Sequence, residues 1–453
     1  MKLLPTRRTV KRWGIALGIL LGVLLLVNGF FSWQTNRRFN AKIAAIRAEG
    51  LPASIADLKP KPIPTELNAA AHIDALAPRL DEFAKEQYRW EDKTPLGKAY
   101  YERPEGEPPT DEQIAAIRAV LDQYADLEAA VAAAAACPQY ASTADFSLGF
   151  HDYIEENLDE VTRIRAIARM VRWHATVFIA EGRPDLAIER WLQMLRLAKL
   201  YEAEPSLVAG LVDYAVRGVS IDGLHDALVA GPIPPEMRDQ LNAELARADS
   251  PTKIKDVLIT ERAINISAGI EQTSAEFLDA PRVLVWLVGW VPKRMHYVGI
   301  FDSYQWLLPM ADRPWSEVKQ IFAKGGQMAV PTEYGVLSDL LIPALESGFV
   351  AAHRDTAWIR TLRIFNALQR FAAENGREAA SLADLKLPKE ATIDPFSDKP
   401  LITRHTDAGW LVYSVGQNGV DDGGKFDDEK SDIGLGPPPP AEAGSPENLA
   451  PGQ

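Results

Sequence analysis

Apolar positions follow three patterns along the 453-residue chain. The first is an unbroken run. Between Arg12 and Arg37 no residue carries a formal charge, and Gly14 to Phe31 reads GIALGILLGVLLLVNGFF. A helix over about 24 residues rises about 36 Å, enough to cross a hydrocarbon layer of about 30 Å. Trp13 and Trp33 bracket the run, where indole rings favour the membrane interface. The pattern predicts a basic cytoplasmic tail over 1–12, a transmembrane helix over 13–34 and a juxtamembrane segment over 35–64. Val27 and Gly29 would also suit a cleaved signal peptide, but Phe30, Phe31 and Trp33 carry the apolar stretch past that point. An uncleaved anchor with an inside N-terminus and an exported body is the expectation, that of a single-pass membrane protein.

The second pattern is helical. From Thr65 to about Phe349 apolar residues recur every three or four positions, predicting a large helical domain over 65–350. Thr110-Asp111-Glu112-Gln113 reads as a capping box, and Ile114, Ile117, Leu121, Tyr124, Leu127 and Val131 continue as one stripe to Cys137-Pro138. A further stripe of Leu158, Val161, Ile164, Ala168, Val171, Ala175 and Phe178 stops at Gly182-Arg183-Pro184, where glycine suits a helix end and proline a helix start. The next helix carries Leu186, Trp191, Leu195 and Ala198, so the two predict an antiparallel hairpin. Gly182, Ala187 and Trp191 fall at offsets that resemble one tetratricopeptide unit, although no second copy follows 34 residues on. Helices are also expected over Leu207–Val229 and Pro235–Ala248. Gly210, Gly218 and Gly223 in the first of these suit close packing, since no phosphate-binding glycine pattern follows a strand. The stretch 281–315 is unusual in combining Trp286, Trp290, Trp306, Trp315, Tyr297 and Tyr304 with Lys293 and Arg294. It reads either as a buried core hairpin or as a second, interfacial membrane contact.

The third pattern is short and alternating. An amphipathic helix over Trp358–Phe371 stops at Asn375-Gly376, and two short strands are expected at Leu401–Thr403 and Trp410–Val415 around an Asp407-Ala408-Gly409 turn. A glycine- and aspartate-rich loop follows, closing on Ser431-Asp432-Ile433. The whole chain is therefore expected to be mostly α, with an N-terminal transmembrane helix, a helical body and a small α+β cap of two or three antiparallel strands.

The cap carries a specific resemblance. A helix, then Asp394-Pro395-Phe396, then a strand ending Tyr413-Ser414-Val415-Gly416, then an acidic loop resembles the C-terminal part of the major pseudopilins of type II secretion. The resemblance implies a calcium-binding domain over 353–435, with Asn418 standing where the family has its first ligand aspartate and Asp432 matching the aspartate before isoleucine. It does not extend to the anchor, which lacks the pilin processing site. In overall layout the chain is similar to uncharacterised membrane-anchored envelope proteins of planctomycete-type bacteria, which implies a location but no activity.

The residues themselves agree with a divalent cation. Asp421, Asp422, Asp427, Asp428, Glu429 and Asp432 face only Lys425 and Lys430, and Gly419, Gly423 and Gly424 permit sharp turns. Crowded carboxylates of this kind suit calcium, which takes six to eight oxygens, backbone carbonyls included. The candidate set is Val415 at the strand end with Asn418, Asp421, Asp422, Asp427, Asp428 and Asp432. Val420 occupies what would be the third EF-hand position, so an EF-hand proper is rejected.

Charge and composition narrow the rest. A net charge of −13 argues against a nucleic-acid binder, and Cys137 alone supports neither a disulfide framework nor a multi-cysteine zinc site. The charge is segregated: residues 1–47 hold nine basic side chains and no acids, whereas 418–453 hold eight acids and two bases. The seven histidines show no metal-ligand spacing, no nucleophile elbow occurs, and His174 and His225 read as structural. Past Gly436 a proline-rich tail is expected to be disordered. No catalytic residue is assigned. The reading favours a membrane-anchored scaffold or binding protein of unknown protein partner over an envelope hydrolase whose groups converge only in three dimensions.

Overall fold

The structure is a computed structural model and describes residues 7–104, 107–249, 254–271, 290–323, 336–426 and 431–437. Of the sequence readings, Asp427, Asp428, residues 281–289 and the tail beyond 437 lie outside the described residues.

Helix α1 (Arg7–Ala48) is longer than the predicted span. It holds an 18-residue window of mean hydropathy 2.4, long and apolar enough to cross a membrane, and none of that window is buried inside the protein. The helix does not stop at residue 34. It runs on through the first part of the expected juxtamembrane segment, where Phe39 and Ile46 enter the core. Gly50, with φ +74°, ends it. The chain to Asn68 then lies against the body, its Ile55 N–H donating to Ser267 Oγ at 2.9 Å.

The body is built from helices α2 (Ala69–Lys93), α3 (Pro95–Tyr101), α4 (Asp111–Leu121), α5 (Ala125–Ala135), α6 (Phe150–Ala180), α7 (Pro184–Tyr201), α8 (Leu207–Ala230) and α9 (Pro235–Ala248). The Thr110 capping box forms as read, with both reciprocal bonds present. The single stripe expected from Ile114 to Val131 is, however, two helices. The chain tightens into a 3-10 turn over Asp122–Tyr124, and Arg79 uses the break, donating to the freed Gln123 carbonyl at 3.0 Å and to Asp126 at 2.9 Å. The α6–α7 hairpin turns at Gly182, whose φ of +71° is open to glycine at little cost. The expected stripe on α6 is buried at Val161, Ile164, Ala168, Val171 and Ala175; Leu158 is exposed instead, and Tyr153, Asn157, Glu160 and Ile167 also face inward.

Glycines on α8 do pack closely. A Cβ on Gly223 would fall 2.2 Å from the Trp191 ring of α7, and one on Gly218 2.1 Å from the Trp358 ring. Three more helices, α10 (Ile254–Glu271), α11 (Trp290–Leu307) and α12 (Trp315–Ala323), build the second part of the core with the end of α1. Within 281–315, Val298, Phe301, Tyr304, Leu307, Met310 and Trp315 are buried in that core.

The 40-residue α13 (Val336–Asn375) is the spine. Its first half packs with α1, α10, α11 and α12, and its second half with the body helices. The expected boundary near 350–353 falls inside this helix. The cap is a three-stranded antiparallel sheet, β1 (Ile402–Thr406), β2 (Gly409–Ser414) and β3 (Ile433–Leu435), in that order. Ile402 pairs with Tyr413 and Ser414 with Ile433. Val412 and Leu435 seat it on α13.

Candidate functional site

The cap positions the acidic loop through one buried aspartate. Asp394, in the Asp394-Pro395-Phe396 turn, accepts the N–H groups of Phe396 at 2.9 Å and Val415 at 3.2 Å. It also accepts the hydroxyls of Ser397 at 2.8 Å and Ser414 at 2.6 Å. Four donors on one carboxylate tie the turn to the end of β2, where Gly416 turns the chain with φ +61°. Phe396 packs edge-on to Trp315 at 5.7 Å, which fastens the turn to α12.

Beyond Gly416 the predicted ligands gather around one loop with different duties. Asn418 donates through Nδ2 to Asp422 Oδ2 at 2.7 Å and accepts from the Val420 N–H, while Lys319 of α12 reaches its carbonyl at 2.5 Å. Asp421 is engaged on both oxygens, by Arg404 at 2.9 Å and by the Tyr413 hydroxyl at 2.9 Å. Asp432 is buried; its Oδ2 accepts the Gly424 N–H at 2.7 Å, and its Oδ1 has no hydrogen-bond partner. Burial pushes the Asp432 carboxyl above the ordinary range, with Asp421 and Asp422 beside it adding to the rise. Val415 contributes its N–H to Asp394. Among the described residues no three His, Cys, Asp or Glu side chains stand where one metal ion could join them. Asp432 Oδ1 is thus a buried carboxylate oxygen without a donor, with Asp421 and Asp422 nearby.

Two buried ionic clusters escaped the sequence reading. In one, Arg217 of α8 meets Asp213 at 3.0 Å, Glu202 at 2.8 Å and Asp355 of α13 at 3.3 Å. Burial lifts the Asp213 carboxyl to about 8 and that of Asp355 to about 6, against the pull of Arg217. In the other, Glu160 of α6 and Glu204, in the turn between α7 and α8, share a hydrogen bond. The Tyr140 hydroxyl donates to Glu160, and Asn157 donates to Glu204 at 3.0 Å. Glu160 lies in register with Tyr153, Asn157 and Ile164 on one helical face, a spacing present in the sequence but masked by neighbouring apolar residues. The two histidines read as structural are packed: His225 stands edge-on to Phe365 at 4.8 Å, and His174 stacks on Phe178.

Comparison of the chain with protein-family models, with curated proteins and with solved structures gave no match. The geometry alone carries the functional reading.

Proposed function

We propose that the protein is a single-pass, membrane-anchored scaffold or binding protein of the bacterial envelope, with its N-terminus cytoplasmic and its body displayed outside. One observation carries this reading: α1 passes without a break from a bare apolar stretch into the core, where Phe39 meets Phe301 edge-on at 5.4 Å and Lys42 pairs with Asp302. An anchor joined in this way fixes the body's orientation at the bilayer, as a presenting scaffold requires. Protease protection in spheroplasts tests it. Digestion of the body from outside, with the first residues protected, is expected; an intact body would overturn the topology. Of the second membrane contact read over 281–315, the part from Val298 on is taken up by the core, and unchanged cleavage of the stretch before it with and without liposomes would remove the rest.

The cap is a calcium-stabilised end to this scaffold, with Asn418, Asp421, Asp422, Asp427, Asp428 and Asp432 as its oxygen donors alongside the strand end at Val415. The unpartnered Asp432 Oδ1 supports this assignment. With external calcium near ~1 mM and a dissociation constant of about 10 μM, mass action would add about 2.7 kcal/mol to stability. The full chain is expected to melt higher in calcium than in chelator, and Asp432→Ala to abolish the difference. Identical wild-type curves would sink the calcium assignment and leave the anchor reading standing.

A further inference from the structure

The Glu160–Glu204 contact is chemically incomplete as an ordinary structural pair. Two carboxyl groups, on residues 5% and 3% exposed, share a hydrogen bond, and among the described residues no cation pairs with either. They can lie together only while a proton sits between them, because two buried like charges at hydrogen-bond distance repel strongly. Around them stand Ser142, which also bonds to Glu204, and the unpartnered hydroxyls of Tyr153 and Tyr201, both residues being wholly buried. We propose that Glu160 and Glu204 form a proton-operated fastener that holds the 138–149 segment and the α7–α8 turn onto α6, and that losing the shared proton releases them.

The pair sits where three stretches of chain converge. Tyr140 brings the 138–149 segment to Glu160. Asn157 links Glu204 to Ser206, whose hydroxyl donates to Asn157 Oδ1 at 2.8 Å and accepts from the Ala209 N–H at 3.0 Å, capping α8. The charged and titratable groups facing the pair from the packed elements are Asp74 of α2, paired with Arg163 of α6, the tyrosines 140, 153 and 201, and Glu261 of α10, which accepts the Leu207 N–H at 2.9 Å. Only Arg163 among them is cationic, and Asp74 holds it at 2.6 Å. Glu160 therefore carries the proton and donates it, and Glu204 accepts and is the first to ionise. Burial, then the charge of Glu204, lifts Glu160 to about 9, and burial lifts Glu204 to about 7.

The direction of the pH effect follows. Both groups sit above their ordinary values in the folded chain, so the unfolded chain loses these protons first. Stability is then fully present only below the ordinary glutamate value of 4.5 and is lost progressively as the pH climbs through 7 to 9.

Hydrogen exchange of the full chain in detergent, in chelator, tests this. Wild-type peptides spanning 138–149 and 202–208, corrected for intrinsic rates, are expected to lose well over tenfold in protection between pH 6 and 9, since each pH unit below the folded value of a raised carboxyl is worth about tenfold. Glu160→Gln, which keeps shape and hydrogen bonding, should abolish that dependence. Glu204→Gln removes the anion that holds the proton on Glu160, so its transition should move to lower pH, which a merely structural loss would not do. Equal pH dependence in wild type and Glu160→Gln would overturn the proposal. So would protection restored at pH 9 by ~1 mM Mn2+, which would make the pair a cation site.

Discussion

Arg217 shows how much one buried charge can be asked to do. Its guanidinium is 3% exposed and faces Asp213, Glu202 and Asp355, while its Nε and one oxygen each of Asp213 and Asp355 lack partners. Such a cluster adds little net stability over an apolar replacement of the whole, but removing one member leaves like charges buried together. Arg217→Met is expected to cost about 3–5 kcal/mol by urea denaturation. Adding Asp213→Asn and Asp355→Asn to it should recover part of that loss. A single-variant cost below ~1 kcal/mol would show that the carboxylates simply take up protons, as their raised values at neutral pH allow. The sequence reading missed the cluster, although Asp213 and Arg217 stand four residues apart on one expected helix. Asp355 comes from a distant helix, and burial of a charge leaves no mark in a single sequence. Glu160 and Glu204 were hidden for the same reason, since a lone acid beside an apolar stripe reads as a solvated helix edge.

Elements were more legible than sites, because periodicity reports which face of a helix is buried and caps report where it begins. The Thr110 box, the Gly182-Arg183-Pro184 turn and the whole of α9 stand where the sequence puts them. The misreadings came where tertiary contacts decide. The break before α5 is stabilised by Arg79, from a helix earlier in the chain. The first strand runs three residues past its expected end, because its pairing with β2 continues to Thr406 opposite Gly409, and the second is offset by one residue at each end. The glycine face of α8 gives a prediction whose sign is informative. Alanine at a helix interior is favoured over glycine by about 1 kcal/mol. Overpacking a tight contact costs about 1–3 kcal/mol. A methyl on Gly223 would sit 2.2 Å from the Trp191 ring, so Trp191 would have to shift. Gly223→Ala is therefore expected to lower the melting temperature and alter the near-ultraviolet signal of tryptophan. A rise in melting temperature would mean that α7 and α8 can separate freely.

At the scale of the molecule, the question is where the anchor ends and the body begins. Composition draws the line near Asn36, where charge resumes, yet the core draws it earlier than the end of α1. Phe39 is 2% exposed and Ile46 7%, and Phe39 packs edge-on to Phe301 of α11. Each such side chain contributes about 1.5–3 kcal/mol by burial. The end of α1 is thus a structural part of the body, and the apolar portion before it is not. A chain starting at Gln34 should stay soluble and melt with the full chain. One starting at Gly50 should lose on the order of 4 kcal/mol, expose the partners of Phe39 and Ile46, and bind a hydrophobic dye. Equal melting of the two truncated chains would show that α1 merely lies against the body. In that case the membrane segment would be a flexible tether, and the fixed orientation on which the scaffold reading rests would be lost.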